Sequence, residues 1–163
     1  MTIILLLSDT HGYIGPEILK HAEDCDEIWH AGDIGSVHVT DKLKAIKPLR
    51  AVYGNIDGAE VRNEFKEHCK FICEEMKVWI THIGGYPNRY APKINKTINN
   101  EPPDLFIAGH SHILKVITDE KLNLLHMNPG AIGNHGFHKV RTMLKFEIQG
   151  KEVKNLLVIE YNR

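Results

Sequence analysis

The stretch Thr2-Ile3-Ile4-Leu5-Leu6-Leu7-Ser8-Asp9-Thr10-His11-Gly12 joins a six-residue apolar run to an abrupt polar turn. An unbroken apolar run of that length is the pattern of a strand buried on both faces, as in the middle of a parallel sheet. No Lys or Arg precedes it and Ser8-Asp9 ends it, so a signal peptide is the poorer reading. Gly15-Pro16-Glu17 then opens a helix to about Ala22, with Pro where its missing N–H costs little. Residues 26–31 read as a second strand, 37–46 as a second helix and 49–53 as a third strand. This β-α-β-α-β order predicts a parallel sheet with right-handed crossovers. After residue 64 the pattern changes. Residues 69–74 and 77–82 read as a hairpin about Glu75-Met76, 91–99 as a helix, and 104–108, 113–118 and 123–127 as strands. Residues 140–148 and 152–160 alternate apolar and polar around Gln149-Gly150, which predicts a half-exposed antiparallel hairpin. The expected architecture is α/β, with two sheets packed face to face and helices outside.

The bulk properties bound the rest. A chain of 163 residues reads as one domain, 1–163, able to bury a core without staples. Lys plus Arg number 20 against 21 Asp plus Glu, so net charge draws the protein toward neither nucleic acid nor membrane. No apolar run approaches membrane-spanning length. Cys25, Cys69 and Cys73 form no CxxC pair and cannot all pair internally, so reduced thiols and a cytoplasmic location are expected. Cys69 and Cys73 fall on one strand face, in a buried apolar role. The unusual count is 11 histidines, since imidazole is the commonest metal ligand among side chains.

Their placement matters more than their number. The apolar runs end in Asp9-Thr10-His11, in Gly32-Asp33, in Gly54-Asn55-Ile56-Asp57, in Thr81-His82 and in Gly109-His110-Ser111-His112. Five strands thus deliver Asp, Asn or His at their C-terminal ends, where loops of open α/β sheets converge on one crevice. Singly, each piece has a bland explanation: Gly-Asp as a turn or cap, a terminal His as structural, Asn55 as a left-handed turn residue. Jointly that account needs five coincidences. Asp9, His11, Asp33, Asn55, His82, His110 and His112 are seven O or N ligands, too many for one tetrahedral zinc and suited to two metals sharing a carboxylate. His30 inside a strand, and His21, His38, His68 and His126, read as structural.

These blocks resemble the five signatures of the calcineurin-like metallophosphoesterases, and the Gly109-His110-Ser111-His112 form is similar to the family's small single-domain phosphodiesterase branch. Asn128-Pro129-Gly130 resembles that branch's late turn. The resemblance implies a four-layer α-β-β-α sandwich of two mixed sheets. It also implies a first metal on Asp9, His11, Asp33 and His112, and a second on Asp33, Asn55, His82 and His110. The mixed ligands suit manganese, iron, zinc, nickel or cobalt, with manganese the first expectation. One residue departs from the pattern: Ile56 stands where many members carry the histidine that protonates the leaving group.

The expected chemistry is attack on phosphorus by a hydroxide held between two divalent ions, with Asn55 helping to bind phosphate oxygens. Two divalent ions, two aspartates and a hydroxide leave a net charge of +1, closer to a match for a phosphodiester than for a doubly charged monoester. His135 and His138, after the late turn, are candidates to contact phosphate or to supply the missing proton. A small phosphate ester is the expected partner, and a homo-oligomer is compatible with the sequence. Two rivals remain: a metal-free scaffold resembling the family's retromer subunit, and a nuclease, which would need a basic groove that no Lys/Arg run here provides.

Overall fold

The computed structural model describes residues 1–163. In chain order the elements are β1 (Thr2–Leu7), α1 (Pro16–Ala22), β2 (Glu27–His30), α2 (Val37–Lys44), β3 (Leu49–Ala51), α3 (Ala59–Glu64), β4 (His68–Cys73), β5 (Met76–Thr81), β6 (Gly85–Tyr86), β7 (Arg89–Tyr90), α4 (Pro92–Asn100), β8 (Leu105–Ile107), β9 (Leu114–Asp119), β10 (Leu124–Pro129), β11 (Val140–Gln149) and β12 (Glu152–Asn162).

The apolar run of β1 sits mid-sheet, between parallel β2 and antiparallel β11, in the order β12-β11-β1-β2-β3. Its residues divide by parity, as strand geometry requires. Ile4 and Leu6 face the second sheet, in a cluster with Ile80, Ile107 and Phe146. Leu5 and Leu7 face α1 and α2, against Ile18, Val39 and Leu43. The second sheet runs β4-β5-β8-β10-β9 and is also mixed. Ile94 and Ile98 of α4 cover its outer face at Trp79 and Phe106. The layers are therefore helix, sheet, sheet, helix, the expected four-layer sandwich.

Three details differ from the sequence reading. The β4–β5 hairpin pairs Cys73 with Met76, so the turn is Glu74-Glu75, with Glu74 at φ 55°; Met76 is drawn into the strand because its side chain is buried between the sheets. The final hairpin is not evenly half-exposed. β11 is buried almost throughout because it has a strand on each side and packed layers on both faces, while β12 is the exposed edge. Helix α3 and the short β6–β7 hairpin had no periodic signal: α3 has six residues and buries only Val61. Cys69 and Cys73 both pack on the inter-sheet core and all three cysteines are free. No helix is long and apolar enough to cross a membrane.

Candidate metal centre

All five polar turns end at one edge of the sandwich. β1 delivers Asp9 and His11, β2 delivers Asp33, β3 Asn55, β5 His82, and β8 His110 and His112. The backbone is contorted to do so. Nine non-glycine residues have positive φ, and five of them are Asp9 (56°), His11 (46°), Asp33 (54°), His110 (72°) and His112 (63°). Each such residue costs about 1–3 kcal/mol, a strain that persists only where surrounding structure enforces it. In return both members of each x-separated pair face the same centre. The preceding glycines are required by contact. A Cβ on Gly54 would lie 2.1 Å from Asp33 Oδ1, and one on Gly32 2.7 Å from His82 Nδ1. On Gly109 it would lie 2.3 Å from Ser8 Oγ.

The side chains form two groups, Asp9/His11/His112 and Asp33/His82/His110, whose ligand atoms within each group lie within 4.8 Å of one another. Asp33 Oδ2 joins them, 3.1 Å from His82 Nε2 and 3.6 Å from His11 Nε2. His112 Nε2 is 3.1 Å from Asp9 Oδ1, and Asn55 Oδ1 is 3.1 Å from His110 Nδ1. His82 Nδ1–H donates to the Ala31 carbonyl at 2.7 Å, which fixes the ring orientation and turns Nε2 toward the carboxylates. His82 Nε2 and His11 Nε2 are buried and, despite these short approaches, neither is aligned for a hydrogen bond. Two orphaned imidazole nitrogens beside two buried carboxylates fit divalent cations, which take neutral imidazole and ionised carboxylate.

The electrostatics agree. Burial pushes the Asp9 carboxyl up, but His11, His112, His82 and the Ser8 hydroxyl outweigh it and hold its pKa well below the carboxylate range. Asp33 behaves likewise, lowered by His82 and the Ile56 N–H against burial. Asp9, with Asp33 beside it, raises His11 above the usual imidazole value. Burial opposes protonation of His82, but Asp33 and Asp9 prevail and raise it. Without metal these imidazoles draw protons to balance the carboxylates, protons that a bound cation replaces.

Behind the ligands lies a supporting layer whose roles the sequence did not reveal. Asp57, buried, accepts from the N–H groups of Ile34 (3.1 Å), Gly35 (2.8 Å) and Gly54 (2.7 Å), stapling the Asp33 turn to the Asn55 turn. Arg62 donates from Nε to the Asp57 carbonyl and from Nη2 to those of Gly54 and Asn55. His30 accepts at Nδ1 from Gly32 N–H and donates from Nε2 to Thr10 Oγ1, and burial holds its ring neutral, with the pKa pushed down to about 4. Asn128 donates to the Gly109 carbonyl and to Ser111 Oγ, tying the late turn to the His110–His112 turn.

A calcineurin-like phosphoesterase superfamily domain matches residues 1–151. The chain belongs to that superfamily. A probable metallophosphoesterase of Methanocaldococcus jannaschii is 26% identical over 97% of this chain and 82% of its own length. A structure described as a novel archaeal phosphodiesterase superposes with TM-score 0.71 at 20% identity, covering 96% of this chain and 99% of that one. Vps29 of Chaetomium thermophilum gives TM-score 0.77 at 16% identity, covering 99% and 97%. Calcineurin-like phosphoesterases are hydrolases that use divalent metals, and the two residue groups above are where this member could hold them.

In this phosphoesterase the loop after the late turn does lie over the crevice. The His135 ring is 4.7 Å from that of His11, and the His138 ring 5.0 Å from that of His112. The two differ in freedom. His138 Nε2–H donates to the Gly133 carbonyl at 2.8 Å, whereas His135 is exposed at the mouth. The mouth, a crevice of about 500 Å³, also carries exposed Ile56, Ile113 and Phe137. Ile56 serves the site through its backbone, donating N–H to Asp33 Oδ1 at 3.1 Å, while its side chain stands free at the lip.

Proposed function

We propose that this chain is a cytoplasmic, single-domain phosphodiesterase holding two divalent ions, manganese first among them. Asp9, His11, Asp33 and His112 take one ion; Asp33, Asn55, His82 and His110 take the other. The observation that carries this reading is the position of Asp33 Oδ2 between His11 and His82, each with an unpartnered buried nitrogen. Bound there, the ions would lower the pKa of water toward neutrality and neutralise phosphate charge.

The chain's own groups do the rest. Asn55 keeps its carbonyl oxygen for the ion and turns its amide N–H to a phosphate oxygen, stabilising charge that develops in the transition state. Asp57 and Arg62 hold the Asn55 turn in place. Exposed His135, beside His11, would contact a phosphate oxygen rather than replace the acid missing at Ile56, and His138, bonded to the Gly133 carbonyl, would support the loop. The apolar lip of Ile56, Ile113 and Phe137 favours apolar or aryl groups on the ester.

The test is elemental analysis of the purified protein together with turnover of bis-p-nitrophenyl phosphate. About two metals per chain, chelator-sensitive activity and loss of nearly all turnover in Asp33→Ala are expected. Protein without metal, and activity indifferent to chelators, overturns the reading. The rival, a scaffold that binds partner proteins, draws on the likeness to Vps29, and a chain with neither metal nor turnover would favour it.

A further inference from the structure

A second cavity of about 440 Å³ opens beside the metal centre, within the roughly 300–1,000 Å³ of small-molecule sites. It shares Asn55 and His82 with that centre, so an ester whose phosphate rests on them has one substituent at its entrance. Its remaining walls include Tyr53, Arg62, His68 and Lys93.

These walls present donors. Arg62 Cζ lies 4.4 Å from the Tyr53 ring centre, and Nε and Nη2 are committed to backbone carbonyls, which leaves Nη1 without a protein acceptor. Trp79 Nε1–H donates to His68 Nδ1 at 3.3 Å, so the neutral ring carries its hydrogen on Nε2. Lys93 Nζ gives one of three N–H groups to Glu67 at 2.8 Å and keeps two. Arg62 and Lys93 against Glu67 leave one uncompensated positive charge. On the other side of Asn55 the metal crevice opens between His135, His138 and an exposed apolar lip of Ile56, Ile113 and Phe137, with no Lys or Arg in its lining.

The geometry points to an asymmetric diester: the Arg62–His68–Lys93 cavity takes an acceptor-rich substituent bearing one negative charge, a carboxylate or second phosphate, while the apolar lip takes the other alcohol. This rests on the phosphodiesterase reading above and names its substrate class.

The experiment compares two p-nitrophenyl phosphodiesters whose second alcohol ends either in a carboxylate or in the isosteric carboxamide. The wild type should favour the carboxylate by about fivefold in kcat/KM, the scale of one partly solvated ion pair. In Lys93→Gln the ratio should fall to about one, and in Lys93→Glu below it. Lys151→Glu, at the far end of the sandwich in the β11–β12 turn, should keep the wild-type ratio. A wild-type ratio in both Lys93 variants overturns the assignment. If neither diester is turned over, the phosphodiesterase reading is what fails. Amide shifts on titrating the metal-free protein with phosphonoacetate then decide: movement at His68, Thr81 and Lys93 supports the cavity, and its absence there overturns it.

Discussion

Adding one methyl group at Gly54 should disarm the centre without touching a ligand. The Cβ of Gly54→Ala would lie 2.1 Å from Asp33 Oδ1 and 2.4 Å from Asp33 N, where ordinary contact begins at 3.4 Å. Rotation of the carboxylate cannot relieve a clash that includes the backbone nitrogen, so the Asp33 turn must retreat by roughly 1 Å, about the misplacement that can cost 10²-fold in rate. Asp33 Oδ2 lies between His11 and His82, so one displacement weakens both ion positions. Disturbing what holds a ligand lowers metal affinity about 10–100-fold, and overpacking costs about 1–3 kcal/mol of stability. Calorimetric titration of metal-free protein with Mn²⁺ and urea unfolding read the two effects separately. Gly58→Ala is the control, because a Cβ there meets nothing within 4 Å. Wild-type affinity in Gly54→Ala would refute the claim that the Asp33 carboxylate is held where the metals need it.

Asp57→Asn keeps one acceptor oxygen where three backbone N–H groups converge; it should lose about 1–3 kcal/mol in urea unfolding and weaken Mn²⁺ binding, and unchanged binding would detach Asp57 from the site. Burial holds His126 at a pKa of about 4, with neither ring nitrogen partnered, while the unfolded chain protonates it near 6.5. The unfolded state therefore binds more protons between those values, and stability falls as pH falls through them. His126→Phe should gain on the wild type by about 1.4 kcal/mol per pH unit below 6.5, and parallel stability curves from pH 7 to 5 would contradict it. Wild-type turnover should be fast for p-nitrophenyl diesters and slow for alkyl diesters. Ile56→His, at an exposed lip position, should raise the slow rates more, by up to about 10²-fold; equal wild-type rates on both esters would mean that another group already donates the proton.

Much of this was legible because strand burial and strand ends leave marks along the chain. The unbroken Thr2–Leu7 run announced a central strand, and parity then sent Ile4 and Leu6 to one side and Leu5 and Leu7 to the other. Asp9, Asp33, Asn55, His82 and His110 were readable as a set because each follows an apolar run, and loops at the C-terminal ends of such strands must converge. Helices α1, α2 and α4 were also legible, α1 from its Gly15-Pro16-Glu17 opening. Helix α3 and β6–β7 were not, because their few residues bury too little to repeat a pattern.

What tertiary structure alone decided was orientation and support. Left-handed φ at Asp9, His11, Asp33, His110 and His112 is enforced by contacts between distant turns, so no local pattern contains it. The roles of Asp57 and Arg62 depend on backbone N–H and carbonyl groups, which every residue carries and no sequence distinguishes. His135 and His138 looked equivalent along the chain. Folding left one exposed beside His11 and bonded the other to Gly133, because a side chain's freedom is set by whatever the rest of the fold places next to it.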